Sequence, residues 1–252
     1  MNTDKNETAK TANRRDGYLL PDHWILPLRE PNLWTMDHEA YVRRAVELVV
    51  QSGALNVLEV GCGDGWNCGK LAEAGLQVVG IDWSANGIDH ARRHVPSGRF
   101  LCCDITDAAF RDLFPEPFDA IAFIEVIEHI PPIETTQALA RIRACLKPSG
   151  KLILTTPSVN WPNNNSQHYR HFTADLLRAE IEKTGSLRVV SIEGYGDATV
   201  DRWFYGILRF FNNRYFAIKP IRDWAFKYYA QHYTRNTPLD RCRGLILVAE
   251  AF

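Results

Sequence analysis

The sequence lacks the patterns that would place it in several common classes of protein. It has no run of about 18 apolar residues, which argues against a conventional transmembrane helix. Its six cysteines show no C-x-x-C spacing, which argues against a zinc-binding module, and a chain of 252 residues needs no disulfides to stabilise a core. The net charge of −1 lacks the basic excess of a protein that grips nucleic acid through phosphates. These absences favour a cytoplasmic protein with reduced thiols and argue against nucleic acid as its partner.

An apolar strand pattern runs directly into a glycine-rich turn. Val57–Val60 leads into Gly61–Gly65, where glycine stands at alternate positions. Because glycine has no Cβ, the chain can turn tightly there and its N–H groups can approach a ligand closely. A second strand pattern ends at Asp82, about 20 residues further on, where a carboxylate can accept both hydroxyls of a ribose. The spacing G-x-G-x-G differs from the dinucleotide pattern G-x-G-x-x-G, so the turn favours a nucleoside-type cofactor other than NAD.

Five motifs in order resemble the class I S-adenosylmethionine (SAM) methyltransferases, over roughly residues 37–194 and the last strand. They are Glu59–Gly65, Gly80–Ser84, Cys103–Asp104, Phe118–His129 and Leu146–Lys151. The resemblance implies a doubly wound, Rossmann-like α/β fold whose seven-stranded sheet has the order 3-2-1-4-5-7-6, with the last strand antiparallel. An unrelated nucleotide-binding sheet is the alternative. Ser84 and Thr173 are predicted to cap helices that follow strands of this sheet.

The same resemblance implies a set of cofactor-binding residues. Glu59 and the Gly61–Gly65 loop would hold the methionine part of SAM, and Asp82 would hold the ribose. Asp104, together with Cys103 or Ile105, would hold the adenine. The expected cofactor residues are Glu59, Gly61, Cys62, Gly63, Asp82, Trp83, Cys103, Asp104, Ile105 and Glu125.

The pattern Glu125-x-x-Glu128-His129 follows the fourth strand, at the edge where the transferred methyl group would emerge. In a helical turn these three side chains would converge on one face. The pattern resembles that of ubiquinone-pathway O-methyltransferases and small-RNA terminal 2′-O-methyltransferases, which implies a site for Mg²⁺ or Mn²⁺ with His168 or His171 as a further ligand. Two other roles are open: His129 or His168 as a metal-free general base, or a structural role. The candidate catalytic residues are Glu128, His129 and His168.

The expected reaction is O-methylation of a small acceptor that is sugar-like, phenolic or lipid-linked. No Asn/Asp-Pro-Pro-Tyr motif follows the fourth strand, which argues against a resemblance to amino-group methyltransferases. The polar run Asn160–Ser166 is expected to form a loop on the substrate side. The alternatives are a metal-dependent RNA 2′-O-methyltransferase and a non-catalytic module that binds SAM and a partner.

Residues 195–243 are predicted to be an insertion before the last strand, rich in aromatic and basic side chains. Two helices are expected, around 201–215 and 221–233, separated near Pro220. Three interpretations are open: a helical cap with an aromatic core, a surface for a membrane or a lipid-linked substrate, or a site for single-stranded nucleic acid.

The amino-terminal region divides into a tail and a strap. Residues 1–15 are polar and are predicted to be a disordered tail, with no signal peptide. Residues 16–36 are too apolar for a tail and too proline-rich for a helix, so they are predicted to form a strap over the cofactor. Asp37 is expected to cap a helix that ends at Gly53. Residues 16–252 are expected to form a single domain.

Overall fold

The structure is a computed structural model that describes residues 18–25, 33–200, 210, 218–232 and 236–252. The predicted tail, 1–15, and the first predicted helix of the insertion, 201–215 apart from Phe210, lie outside the described residues. The strands are β1 (Asn56–Val60), β2 (Gln77–Asp82), β3 (Arg99–Cys102), β4 (Phe118–Ile124), β5 (Leu146–Pro157), β6 (Leu187–Asp197) and β7 (Cys242–Ala251). The described helices are α1 (Asp22–Ile25), α2 (Leu33–Gln51), α3 (Trp66–Glu73), α4 (Ala85–His94), α5 (Pro132–Ala144), α6 (Ala174–Glu182) and α7 (Lys219–His232). Short 3₁₀ helices occupy Ala108–Leu113 and Ile127–His129.

The strands form one seven-stranded sheet in the order β3-β2-β1-β4-β5-β7-β6, which confirms the predicted order. The pairs from β3 through β5 are parallel, whereas β7 runs antiparallel to both β5 and β6. Because the carboxyl ends of parallel strands meet at one edge, the segments that follow β1, β2, β4 and β5 come together there.

Helices cover both faces of the sheet. Alternate residues of β4 point to opposite faces, so Ile121 and Phe123 join one buried cluster and Ala122 and Ile124 the other. The first cluster includes side chains of α5 and α6, and the second includes side chains of α2, α3 and α4. Burial on both faces is the reason that these strands read as continuous apolar runs.

Side-chain caps start two helices where the sequence predicts them. Ser84 Oγ accepts a hydrogen bond from the Gly87 N–H at 3.1 Å, at the start of α4. Thr173 Oγ1 accepts one from the Leu176 N–H at 3.1 Å, at the start of α6. Each bond satisfies a donor that the first helical turn leaves without a partner, so both predicted caps are confirmed.

The predicted start of α2 is wrong. The helix begins at Leu33, so Asp37 lies inside it and does not cap it. The expectation that prolines exclude helices from residues 16–36 is also wrong, since α1 and the start of α2 lie there. Pro21 and Pro31 both precede these helices in the chain, and a proline ahead of a helix removes none of its hydrogen bonds.

The strands around the predicted insertion are longer than expected. The antiparallel pairing of β6 and β7 extends to Tyr195 opposite Gly244 and Asp197 opposite Cys242, which leaves only residues 198–241 between the strands. The second helix predicted in the insertion is present as α7 and begins beside Pro220, which lies in its first turn, where its missing N–H costs no hydrogen bond. The predicted separation from a first helix lies outside the described residues.

Asp119 links three segments at the amino-terminal edge of the sheet. Its Oδ2 accepts hydrogen bonds from the backbone N–H groups of Leu55 at 2.9 Å and Asn56 at 2.8 Å. Its Oδ1 lies 2.7 Å from Lys147 Nζ. The hydrogen bond from Lys147 lowers the pKa of the Asp119 carboxyl to about 2.

Asp119→Asn is expected to lower the free energy of unfolding by about 1–2 kcal/mol at pH 7, because the amide loses an acceptor and the charge that faces Lys147. The carboxylate stabilises the fold above its ordinary pKa of 3.8, and this contribution is lost as the pH falls through about 2. Urea unfolding at pH 7 and pH 3 measures the difference, with the exposed Asp112→Asn as control. If Asp112→Asn lowered the free energy of unfolding as much, or if the effect of Asp119→Asn grew as the pH fell, the stabilising role of the Asp119 carboxylate would be contradicted.

Candidate active site

The turn after β1 needs glycine for both backbone and spatial reasons. Gly61, Gly63 and Gly65 have φ angles of 79°, 51° and 82°, in the left-handed region that side chains disfavour. A Cβ on Gly61 would collide with the Val126 side chain, and one on Gly65 would lie 2.7 Å from Ala91 Cβ. The loop is therefore held tightly against the segment after β4 and against α4.

Asp82, at the end of β2, holds this loop in place. Its Oδ2 accepts a hydrogen bond from the Gly63 N–H at 2.9 Å, and its Oδ1 accepts one from the Ser84 N–H at 2.8 Å. Burial raises the pKa of Asp82 to about 6. Each oxygen has a second lone pair, so the geometry also allows the carboxylate to accept hydroxyl groups. The neighbouring Trp83 is half-buried.

Two further acidic side chains lie at the ends of neighbouring strands. Glu59 is fully buried, and its Oε2 accepts a hydrogen bond from Cys68 Sγ at 2.8 Å, while Oε1 has no partner among the described residues. Burial raises the pKa of Glu59 to about 7. Asp104 follows β3, and its Oδ1 accepts hydrogen bonds from the Thr106 N–H and Oγ1 at 2.8 and 2.7 Å.

The remaining expected cofactor residues line the same edge. Cys62 is buried in the glycine turn, and burial raises the pKa of its thiol to about 11. The Cys103 N–H donates to the Asp82 carbonyl at 2.9 Å, which places the segment after β3 beside the end of β2, and Ile105 is buried there. The structure thus brings the predicted residues after β1, β2 and β3 together.

Residues 18–25 lie against the glycine turn. The backbone N–H of His23 donates to Asp64 Oδ2 at 3.0 Å, and His23 Nδ1 lies 3.1 Å from Asp64 Oδ1. Trp24 Nε1 donates to the Asp64 carbonyl at 2.9 Å. The Tyr18 ring faces Gly63, where its hydroxyl would collide with any Cβ. A strap is predicted here from the sequence, whereas its anchor Asp64 is not, although an acidic residue within the glycine turn is a visible signal.

Glu125 follows β4 in an unusual backbone conformation, with φ at 54°. Its Oε1 accepts hydrogen bonds from Thr155 Oγ1 at 2.9 Å and from the Tyr195 hydroxyl at 3.1 Å. Burial raises the pKa of the Glu125 carboxyl to about 7. The backbone therefore leaves the helical region at Glu125, but the Glu125 carboxyl still lies close enough to Glu128 for its charge to help raise the pKa of the Glu128 carboxyl.

Glu128, His129 and His168 form a separate group, whose ligand atoms all lie within 4.8 Å of one another. Glu128 is fully buried, its Oε2 accepts a hydrogen bond from Thr156 Oγ1 at 3.1 Å, and its Oε1 has no partner among the described residues. The Tyr169 N–H donates to the Glu128 carbonyl at 2.8 Å and so holds the loop of His168 against the 3₁₀ turn.

The two imidazoles of this group suit a divalent cation, whereas Glu128 would have to release a proton to it, because burial and the neighbouring Glu125 raise the pKa of the Glu128 carboxyl. Burial lowers the pKa of His129, and burial with the neighbouring His129 and His171 lowers the pKa of His168 to about 4. Neutral imidazoles and an orphaned, buried carboxylate oxygen are suitable ligands for Mg²⁺ or Mn²⁺. The group contains Glu128, His129 and the predicted further ligand His168, whereas Glu125, also predicted as a ligand, is not part of it.

Hydrogen bonds determine the tautomer of His168. The Trp161 carbonyl can only accept, so His171 Nδ1, at 3.0 Å, must carry a proton. In neutral His171 the other nitrogen, Nε2, is then an acceptor for His168 Nδ1–H, also at 3.0 Å. The Nε2 atom of His168 therefore carries a lone pair, as a base or a metal ligand requires.

A cavity of about 520 Å³ lies beside this group. Its walls include Tyr41, Glu125, Trp161, His168, Tyr195 and Arg243. Residues 164–166 also line it, which supports the expected substrate-side loop. Since Val126 packs against Gly61, the wall at Glu125 adjoins the glycine turn. Trp161 lies in the loop predicted on the substrate side, whereas Tyr41, Tyr195 and Arg243 were not predicted as site residues. Tyr195 and Arg243 lie where β6 and β7 extend into the predicted insertion.

The chain is similar to known methyltransferases in sequence. The family described as "Methyltransferase domain" matches residues 28–191. A ubiquinone biosynthesis O-methyltransferase of Rhodopseudomonas palustris (strain BisB5) is 34% identical over 205 residues, which cover 74% of this chain and 79% of that protein. One from Bradyrhizobium sp. (strain ORS 278) is 34% identical over 146 residues, 58% of this chain and 56% of that protein. The match thus spans little more than half of the Bradyrhizobium protein.

Solved structures show the same fold. Magnesium protoporphyrin IX methyltransferase from Synechocystis PCC 6803, with bound SAM, aligns with a TM-score of 0.59 and 19% identity over 96% of this chain and 97% of that one. The N-methyltransferase NodS from Bradyrhizobium japonicum WM9, in complex with S-adenosylhomocysteine, aligns with a TM-score of 0.55 and 16% identity over 88% and 89%. The family match, the sheet order and the glycine turn together establish that this chain belongs to the class I SAM-dependent methyltransferases.

Proposed function

We propose that this protein transfers a methyl group from SAM to a hydroxyl oxygen of a small acceptor, with a phenol as the leading class. The observation that carries the proposal is the cavity that joins His168 to the wall beside the glycine turn. Relatives that are 34% identical are named as ubiquinone biosynthesis O-methyltransferases, which favours an oxygen acceptor. An acceptor in this cavity would lie between the cofactor edge and the group of Glu128, His129 and His168.

The cofactor would bind along the carboxyl edge of the sheet. Glu59 and the Gly61–Gly65 turn would hold the methionine part, Asp82 the ribose and Asp104 the adenine. Tyr18 and the rest of the strap would limit access of water. Because the sulfonium of SAM is already activated, the protein mainly has to align the acceptor oxygen with the methyl group.

The acceptor hydroxyl must lose its proton during transfer. In the metal-free version, His168 Nε2 accepts that proton, since its lone pair is fixed by His171. In the metal version, Glu128, His129 and His168 would hold Mg²⁺ or Mn²⁺, and the ion would supply positive charge that favours the ionised acceptor. Glu125 stays with Thr155 and Tyr195 in both versions and shapes the cavity wall.

A membrane or lipid-linked acceptor is a further proposal for the insertion. On α7, Trp224 and Tyr228 are exposed and stack with ring centroids 5.6 Å apart, and Phe210 is also exposed. Such aromatic side chains suit a membrane surface. In the part of the chain that the structure describes, no helix combines the length and apolarity needed to span a bilayer. Liposome flotation tests peripheral contact, and the cytoplasmic location stays a prediction.

Two alternatives have distinct signatures. An RNA 2′-O-methyltransferase would also use Glu128, His129 and His168 to hold a metal ion. The net charge of −1, however, favours a small acceptor over RNA. A non-catalytic module would bind S-adenosylhomocysteine and show no turnover with any hydroxylated acceptor.

Asp82→Ala is expected to weaken binding of S-adenosylhomocysteine about tenfold or more, because a charged hydrogen bond to the ligand contributes about 1.5–3 kcal/mol. The substitution also removes the acceptor for the Gly63 N–H and so loosens the turn. Isothermal titration measures the affinity, and circular dichroism reports the fold. Asp89→Ala, at an exposed position of α4, should bind normally. Unchanged affinity in a folded Asp82→Ala protein would refute the assignment.

The metal version predicts that a chelator abolishes turnover and that Mg²⁺ or Mn²⁺ restores it. Glu128→Gln should reproduce the chelated state and lose Mn²⁺ binding in a direct titration, while its affinity for S-adenosylhomocysteine stays normal. Glu116→Gln, at an exposed position, is the matched control. Turnover that resists the chelator would eliminate the metal and leave His168 as the base.

His171 is predicted to position His168 without touching the acceptor oxygen. His171→Phe removes the acceptor for His168 Nδ1–H and should lower kcat about tenfold or more with little change in cofactor affinity. His171→Gln keeps an acceptor and should recover part of kcat. Equal kcat values in the two variants would show that the hydrogen bond to His168 has no role in turnover.

A further inference from the structure

Tyr18 lies over the glycine turn in a space that two glycines leave for it. Its hydroxyl is so close to Gly63 that any Cβ there would collide with it. A Cβ on Gly87, in the first turn of α4, would lie 3.1 Å from Tyr18 Cδ2. The backbone of Tyr18 has a φ of 55°, a conformation that residues other than glycine disfavour. Strain of this kind is typical of functional positions.

Trp24 holds the strap that carries Tyr18 beside the turn. Its Nε1 donates to the Asp64 carbonyl at 2.9 Å. Its ring packs edge-on against Trp66, at the start of α3, with centroids 4.9 Å apart, and stacks on His94, at the end of α4, at 4.7 Å. The strap is thus fixed to the turn and to both helices, so the position of Tyr18 over the turn is built into the fold.

The Tyr18 hydroxyl is available as a hydrogen-bond donor. Within the part of the chain that the structure describes, it forms no hydrogen bond. Burial and the charge of Asp82 raise the pKa of Tyr18 above its ordinary value of 10.0, so the hydroxyl keeps its proton at neutral pH. A hydroxyl that is removed from water without a partner costs free energy, and a ligand oxygen that accepts from it recovers that cost.

The turn itself has few donors left for an anionic group. The N–H groups of Gly61 and Cys62 both donate to the Ile81 carbonyl at 2.8 Å, and that of Gly63 donates to the Asp82 carboxyl. Ionised carboxyls around the turn attract the sulfonium and ammonium groups of SAM but repel its carboxylate. The carboxylate of the cofactor therefore needs a donor from outside the turn.

We propose that Tyr18 is a binding residue for the cofactor, whose hydroxyl donates a hydrogen bond to the carboxylate of the methionine part of SAM. That part would lie along Glu59 and the Gly61–Gly65 turn, over which the Tyr18 hydroxyl is held. Tyr18 then selects ligands that carry a carboxylate at this end. The inference rests on the proposed function, because it adds a residue to the cofactor site that the methyl transfer requires.

The test compares three ligands that share an adenosine group. The probes are S-adenosylhomocysteine, its decarboxylated analogue, which keeps the amine, and 5′-methylthioadenosine, which lacks the whole amino-acid part. Isothermal titration gives their dissociation constants. Tyr18→Phe keeps the ring and removes the donor, so it should weaken binding of S-adenosylhomocysteine about tenfold. Binding of the two ligands without a carboxylate should change less than about twofold.

Two further variants separate the hydroxyl from the ring and from the fold. Tyr228→Phe removes a hydroxyl from an exposed tyrosine of α7 and should bind all three ligands as the wild type does. Tyr18→Ala removes the ring as well, so it should weaken binding of S-adenosylhomocysteine at least as much as Tyr18→Phe. Circular dichroism reports whether each variant is folded.

Several results would overturn the proposal. Unchanged affinity for S-adenosylhomocysteine in folded Tyr18→Phe would show that the hydroxyl makes no bond to the ligand. Equal losses for all three ligands would show that Tyr18 acts through packing alone. Tighter binding in either Tyr18 variant would show that the ring obstructs the cofactor.

The proposed function fails in a different way. If binding of S-adenosylhomocysteine depends on the Tyr18 hydroxyl but SAM gives no methyl transfer to any hydroxylated acceptor, the role of Tyr18 is supported and the O-methyltransferase function is refuted. If methyl transfer occurs and Tyr18→Phe binds S-adenosylhomocysteine normally, the function stands and the role of Tyr18 is refuted.

Discussion

The parallel direction of β1, β2, β4 and β5 is the constraint on which the site depends. Parallel strands bring their carboxyl ends to one edge of the sheet. Segments that are far apart in sequence therefore meet there because of the strand pairing alone. The glycine turn, Asp82 and the Glu128 turn all follow such strands. Val126, which packs against Gly61, joins the cofactor side of this edge to the acceptor side.

The same edge concentrates buried acidic groups at a cost to stability. Glu59, Asp82 and Glu128 are buried and Glu125 is half-buried, and loss of hydration raises the pKa of each carboxyl. Glu59 and Glu128 each retain an oxygen without a partner among the described residues. Buried carboxyl groups without partners are typical of binding sites, because a ligand supplies the missing interactions. The strained backbone of Glu125 is a second feature typical of such sites.

The acceptor side uses a different part of the fold. The antiparallel pairing of β6 with β7 carries Tyr195 and Arg243 to the cavity, and the loop after β5 brings Trp161 and His168 to face them. The loop is fixed at the Glu128 carbonyl by the Tyr169 N–H. The cofactor-binding residues are therefore positioned by the parallel strands. The cavity for the acceptor depends instead on the antiparallel pair β6 and β7 and on the loop after β5. Differences in these segments provide a physical basis for different acceptors on one fold.

The sequence by itself determined the strands, the glycine turn and the caps at Ser84 and Thr173, because each depends on local patterns: apolar runs, glycine spacing and a hydroxyl ahead of a helix. The sheet order was implied by the resemblance of the ordered motifs to a known family. Only the tertiary structure decided the acceptor site. The positive φ of Glu125 places it outside a helical turn, which no helical spacing predicts, and its carboxyl accepts hydrogen bonds from Thr155 and Tyr195. The loop after β5 brings His168, a candidate from the sequence, next to Glu128 and His129, and the long pairing of β6 with β7 brings Arg243 to the cavity. These contacts join residues distant in the chain, so their positions depend on packing and strand register that local sequence does not encode.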